Sequence, residues 1–374
     1  MRVLHVAQPT SAGLVHCVSD PVRDQVRRGW DVHVASPVGG ELREVVEAAG
    51  ATHHPWEATR SPGLGTLAET ARLRSIVGAV VPELVHLHSS KAGLCGRVSL
   101  RGRTPTVFQP QAWSFHAGGA VVGRAAAAWE RLAARWTHAL VCASRAEREE
   151  GEAAGIRAPW QVIYNGVDVD RFGDGTDEER REARERLALP DVPLAVCVAR
   201  LSRQKGQDVL LAAWPAVRQR VPDAELLLVG EGEDRDALES RGVAGVRFVG
   251  ERRNIPDWLA AADLYVSSSR WEGMSFSILE AMARGRSVVA TDVAGSREQI
   301  GDEAGATVPP EDPVALAAEI AARLADPDLR AAEGRAGRER AVRSHDVRRT
   351  TAQVAELYAE LVGEATTNAR VPVA

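Results

Sequence analysis

Glu272 and Glu280 bracket the run WEGMSFSILEAMARG, residues 271–285, the segment richest in chemistry in this chain. The apolar segment Leu264–Ser267 ahead of it reads as a strand, and a helix reads from about Ser275. Glu272 then lies in the turn and Glu280 inside the helix, with Gly273 letting the backbone turn tightly between strand and helix. The unpaired N–H groups of a first helical turn favour oxygen-rich or anionic ligands. A carboxylate only accepts hydrogen bonds, so two of them suit a ligand with hydroxyl donors. Hydroxyls held between carboxylates, beside a patch of amide N–H groups, describe a sugar next to a phosphate.

A second segment, ARLSRQKG at residues 199–206, supplies cations. Arg200 and Lys205 extend from the end of an apolar strand, and Gly206 opens the next helix. Two cations and a helix N-terminus can neutralise a pyrophosphate without a metal. The plainer alternative is a solvated loop facing the Glu-rich stretch 230–233. Of 46 basic residues only Lys91 and Lys205 are lysines, both in glycine-marked loops. Two readings stand: an arginine coding bias with two survivors by chance, or a compact ammonium needed at both places. Arginine is no equivalent phosphate ligand there.

Rigid elements must position these groups. Strand-like runs at 3–7, 32–36, 84–88, 106–109 and 139–143 alternate with helical runs such as 63–80, 92–101 and 121–136. A second series has strands at 194–199, 225–229, 246–249, 264–267 and 287–290. Such alternation implies parallel sheets covered on both faces. The polar stretch GDGTDEE, residues 173–179, reads as a linker. The expected fold class is therefore α/β, with two Rossmann-like, doubly wound domains facing a cleft. The first spans 1–172 and the second 173–347. Residues 348–374 form a helix, at about 348–362, that crosses back to the first domain, and a disordered tail from Thr366. Ligands bind beyond the carboxyl ends of such strands. Residues 9–13, 88–93, 109–116, 200–206, 230–233 and 271–280 all fall at such ends.

Composition narrows the classes. The chain has 374 residues and a formal net charge of −5, against a dedicated nucleic-acid binder. The apolar stretch 3–7 is too short for a secretory signal, and no apolar run reaches the roughly 18 residues of a membrane span. Cys17, Cys95, Cys142 and Cys197 form no C-x-x-C pair, so a reduced, cytoplasmic protein is expected. His86 and His88 share one strand face, and His53 adjoins His54, but no third ligand is evident and no metal is expected. His88 is expected to line the mouth of the cleft. Asp168 and Asp170 form a D-x-D triplet that belongs to the domain-crossing segment and is discounted as a metal site. Lys91, Arg97, Arg101 and Arg103 offer a face for anionic lipid, or else a solvated helix face.

ARLSRQKG, LLLVGEGEDRDAL (226–238) and ADLYVSSSRWEGMSFSILEAMARGRSVVAT (262–291) resemble the successive motifs of glycosyltransferase family 4. YNGVDVDRF (164–172) and LVHLHSSKAGLCGR (84–97) resemble its domain-crossing and first-domain stretches. The similarity covers roughly residues 1–360. It implies retaining, nucleotide-sugar-dependent transferases of GT-B fold. By this resemblance Arg200 and Lys205 grip the donor diphosphate and Glu280 binds ribose hydroxyls. Glu272 meets the transferred sugar, and the backbone of Gly273, Met274, Ser275 and Phe276 contacts its hydroxyls. The loop 251–255, with Arg253, holds the base; Gly230 and Gly13 complete the donor contacts. Catalysis is assigned to Arg200, Lys205 and Glu272.

Three departures stand out. Ala12 replaces the first of two adjacent glycines usual in the family's first loop. Gln111 stands where a His is common and cannot carry a proton at neutral pH, leaving His116 as a substitute, an acceptor-facing group or a plain surface loop residue. Trp113, in the same loop, either stacks on a sugar ring or packs inside. His88, Lys91, Gln111, Trp113 and His116 are thus the acceptor-side candidates. The expected reaction moves glucose or N-acetylglucosamine from a UDP-sugar to a small-molecule, glycan or lipid-linked acceptor. No cofactor or metal is expected, and weak peripheral contact at the inner membrane face accompanies a cytoplasmic location. A nucleotide-sugar epimerase on a similar fold is the alternative.

Overall fold

The computed structural model describes residues 1–370 other than Ala12, Ala117, Gly118 and Asp174. Two compact units form: Met1–Asn165 together with the segment from Arg348, and Gly166–Val347. The first carries β1 (Arg2–Ala7), β2 (Asp31–Ser36), β3 (Thr52–Pro55), β4 (Leu84–His88), β5 (Thr106–Gln109), β6 (Ala139–Cys142) and β7 (Trp160–Val162). They lie in the order β3-β2-β1-β4-β5-β6-β7, all parallel. The second carries β8 (Leu194–Val198), β9 (Glu225–Val229), β10 (Val246–Gly250), β11 (Leu264–Ser267), β12 (Ser287–Thr291) and β13 (Gly305–Val308). Their order is β10-β9-β8-β11-β12-β13, again all parallel. Parallel neighbours require crossovers, and helices supply them while covering both faces.

Inner strands are apolar on both sides, which is why their positions are legible in the sequence. In the first unit one face packs Trp56, Leu73 and Ile76 over Val85 and Leu87. The helix Val347–Arg370 brings Val354, Leu357 and Tyr358 onto Val3, Leu84 and Val107. In the second, Trp214 and Leu316 cover Leu226 and Val289, while Ile278, Met282 and Ala341 lie under Val288 and Ala290.

Differences from the sequence reading sit at the edges. Strands β3, β7 and β13 were not expected. They close the sheets, so they lack a two-sided apolar run: β3 is THHP and β13 is GATV. The stretch 173–179 is no free linker. Thr176 and Glu179 form a reciprocal capping box that starts the helix Asp177–Arg186 inside the second unit. Gly173 takes φ 67° beside Glu179 and Arg284. The second unit therefore begins at Gly166, and its two ends pair: Val167 N–H donates to His345 O at 2.7 Å, and Val347 N–H to Val167 O at 3.0 Å. Asp168 caps a short helical turn by accepting from Asp170 N–H at 3.2 Å, a structural use of the D-x-D triplet. The last helix runs through residue 370, past the expected stop at 362; residues 371–374 lie outside the described residues.

Candidate active site

Strand order in the second unit reverses between β8 and β11, and the loops after these two strands flank that point. Hydrogen bonds stitch the loops together. Ser268 Oγ donates to Lys205 O at 3.0 Å, Arg270 N–H to Gln204 O at 2.7 Å, and Gln204 Nε2 to Trp271 O at 3.1 Å. Such closeness requires glycine. Gly206, at φ 63°, has no room for a Cβ against the Ser268 carbonyl oxygen, and Gly230, at φ 145°, none against that of Ala199.

One lysine and one serine converge on a single carboxylate. Lys205 Nζ pairs with Glu272 Oε1, and Ser269 Oγ donates to the same oxygen at 2.7 Å. Oε2 of Glu272 has no partner among the described residues. Arg200 reaches Glu233 at 3.4 Å in a loose pair, and its carbonyl accepts from Gln207 Nε2 at 3.0 Å. Ser275 precedes the helix Phe276–Ala283 and is clamped by Gln299, which accepts from its N–H at 3.2 Å and donates to its carbonyl at 2.7 Å. The Tyr265 hydroxyl donates to Ser277 Oγ at 2.7 Å. Burial pushes that phenol well above its ordinary pKa, with Glu280 and Glu272 adding to the shift. Met274 is buried, Glu280 and Phe276 are half-buried, and Arg253 is exposed beyond β10. Sequence reasoning missed Ser269 and Gln299; a hydroxyl three residues before Glu272 was the available signal for the first.

The first-unit candidates divide differently. Gly13 opens the helix Gly13–Arg27 after β1; Ala12 lies outside the described residues. Lys91 is corrected to a structural residue. It is 2% exposed, pairs with Glu69 at 2.5 Å and donates to Thr66 Oγ1 at 3.1 Å and Ser61 O at 3.2 Å. A compact ammonium is needed there, but by the fold. Trp113, 1% exposed, stacks on Phe115 and donates to Glu147 O at 2.6 Å, so it packs and offers no face to a ligand. His88 is fully buried and lines no mouth. The missing third histidine is His5, which β1 places beside β4; ring nitrogens of His5, His86 and His88 lie within 4.8 Å of one another. Arg97 is also buried, paired with Glu130 at 2.8 Å and stacked on Phe108, so the basic run retains only Arg101 and Arg103 as exposed charges. His116 is partly exposed and pairs with Glu150 at 3.1 Å. Gln111 is half-buried, 3.4 Å from His88 Nδ1.

Two doubly wound parallel-sheet units, with cations and carboxylates at a switch point, define the GT-B class of architecture. Residues 11–171 match Glycosyltransferase Family 4, and residues 192–326 match Glycosyl transferases group 1. The chain belongs to this glycosyltransferase family. It is 33% identical over 224 residues to the lipopolysaccharide core biosynthesis mannosyltransferase LpsB of Rhizobium meliloti, covering 56% of this chain and 63% of that one. It is 37% identical over 221 residues to a GDP-mannose-dependent alpha-(1-6)-phosphatidylinositol monomannoside mannosyltransferase of Mycolicibacterium smegmatis, covering 55% and 57%. The matched part thus spans between half and two thirds of these curated relatives. The crystal structure of Anabaena Alr3699/HepE in complex with UDP-glucose superposes with a TM-score of 0.83 at 25% identity, covering 96% of this chain and 100% of that one. Among the described residues no helix is long and apolar enough to cross a membrane.

Proposed function

We propose that the chain moves a hexosyl unit from a nucleoside diphosphate sugar to an acceptor hydroxyl or amine, with retention at the anomeric carbon. The observation that carries this reading is the Glu272 carboxylate. Lys205 and Ser269 occupy one oxygen, and the other is left to accept from a sugar hydroxyl. As the bond from the anomeric carbon to the diphosphate breaks, negative charge develops on the leaving group. Lys205, Arg200 and the first turn of the helix Gln207–Arg220 stabilise that charge without a metal. The Arg200–Glu233 pair is largely solvent-exposed, so releasing Arg200 to the phosphate costs little. Glu280 takes ribose hydroxyls, and the leaving phosphate accepts the acceptor's proton on the same face.

The resemblance alone favoured a UDP-hexose. The curated relatives at 33% and 37% identity are mannosyltransferases, one of them named for GDP-mannose. GDP-mannose is therefore the first donor to test, ahead of UDP-glucose and UDP-N-acetylglucosamine. A glycan or lipid-linked acceptor at the cytoplasmic membrane face completes the reading, supported by the words lipopolysaccharide core biosynthesis and phosphatidylinositol monomannoside in those names. Titration calorimetry of the purified chain with the three donors decides between them, followed by nucleotide release with and without lipid acceptors. Failure to bind any of the three, or conversion of a donor to its epimer with no acceptor present, refutes the proposal.

A further inference from the structure

The histidines of β1 and β4 lie outside the donor loops and form a chain of contacts that ends on Gln111. Gln111 Nε2 is 3.4 Å from His88 Nδ1, His88 Nε2 is 3.0 Å from His5 Nδ1, and His5 Nε2 is 2.9 Å from Gln25 Oε1. With Gln111 Nε2 and Gln25 Oε1 facing the rings, one assignment of protons satisfies all three contacts. An amide nitrogen can only donate, so His88 Nδ1 accepts; its proton then sits on Nε2 and is donated to His5 Nδ1; His5 Nε2–H is donated to Gln25 Oε1. Both rings are fully buried, which keeps them neutral: burial depresses His5 to about 4 and His88 well below its ordinary value.

The backbone points to the same residue. Gln111 and Ala112 hold φ of 59° and 124°, a region costly for residues with a Cβ. Glu147, buried in the helix Arg145–Ala153 after β6, pins them. Its Oε1 accepts from Ala112 N–H at 2.8 Å, its Oε2 from Ala143 N–H at 2.7 Å, and its carbonyl from the Trp113 indole at 2.6 Å. Strain so firmly over-determined marks a place where geometry matters. The Gln111 amide oxygen makes no hydrogen bond among the described residues.

We infer that His88 and His5 are positioning residues that lock the Gln111 carboxamide nitrogen inward and its oxygen outward, so that Gln111 receives a substrate hydroxyl as a hydrogen-bond acceptor only. This rests on the sugar-transfer reading above. The hydroxyl belongs either to the hexose being moved or to the acceptor.

Long-range proton–nitrogen NMR of the imidazoles, on the unmodified chain at pH 7.5, tests the lock without any activity assay. Both His5 and His88 are expected as neutral Nε2–H tautomers. An Nδ1–H tautomer at His88, an imidazolium, or a stoichiometric zinc ion on the three-histidine group overturns the inference and leaves sugar transfer standing. Initial rates then test the consequence. Gln111→Met and His88→Leu each lower kcat/KM about tenfold, the loss of one hydrogen bond, and the double variant is no slower than either alone. His88→Asn, whose amide oxygen falls near the former Nδ1, recovers most of the rate. An equal His88→Leu effect in the Gln111→Met background makes His88 a packing residue and refutes the lock. Loss of affinity for the nucleotide sugar but not the free nucleotide assigns the hydroxyl to the hexose, and a rise only in acceptor KM assigns it to the acceptor. A chain that turns over no nucleotide sugar refutes sugar transfer, and the tautomers still judge the lock.

Discussion

The two lysines separate function from fold at the scale of single residues. Lys205 is partly open to solvent and shares Glu272 with Ser269; Lys91 is sealed against Glu69. Removing Lys205 withdraws a cation from the proposed leaving group, and a donor of that kind is worth about 10²–10³ in kcat. Lys205→Ala is expected to lose that much turnover while its circular dichroism matches the parent; parental rates would remove Lys205 from the site. Lys91→Ala instead leaves a buried carboxylate unpaired, costing about 3–5 kcal/mol, read from urea unfolding. The buried histidines set a pH dependence. His5 titrates at about 4 when folded against 6.5 when free, with His86 and His88 also lowered, all by burial. The unfolded chain therefore binds more protons below pH 6.5. Stability is full above that value and falls by about 1.4 kcal/mol per pH unit per histidine as pH drops toward 4. Urea midpoints that do not move between pH 7.5 and 5 would contradict this.

At the scale of elements, the site depends on loops that approach each other more closely than side chains allow. Gly206 and Gly242 both have positive φ, at 63° and 58°, but only Gly206 has backbone pressed against it. Gly242→Ala is expected to cost about 1 kcal/mol for the left-handed conformation alone. Gly206→Ala must also push back the Ser268 carbonyl, and with it the stitch between the loops after β8 and β11. Its melting point should fall further, and its nucleotide affinity should fall too, whereas Gly242→Ala binds normally. Equal affinities in the two variants would mean that the close approach does not serve the site.

At the scale of the molecule, the chain's far end completes its beginning. Tyr358 is fully buried with its hydroxyl 2.5 Å from His86 Nδ1, and Val354 and Leu357 pack on β1 and β4 side chains. Each such side chain contributes roughly 1.5–3 kcal/mol of burial. Ending the chain before Arg348 strips one sheet face, and the product is expected to aggregate or to lose near-ultraviolet dichroism. A soluble, cooperatively melting truncation would show that the helix is dispensable.

The sequence by itself determined the α/β class, the inner strands and which charged and glycine residues lie at their carboxyl ends. These are local: a buried parallel strand is a short apolar run, and a loop that must turn and approach a ligand keeps its glycines and charges close in number. Glu272, Lys205 and Gly206 were legible for that reason. Tertiary structure alone decided that Lys91, Trp113 and His88 turn inward, that the GDGTDEE stretch packs against Arg284 inside the second unit, and that Gln111 meets His88. Each of those outcomes depends on partners distant along the chain: Glu69 for Lys91, Glu147 for Trp113, Arg284 for Gly173, His5 for His88. Burial and proton placement are properties of what surrounds a residue, and only the packed sheets put those neighbours within reach.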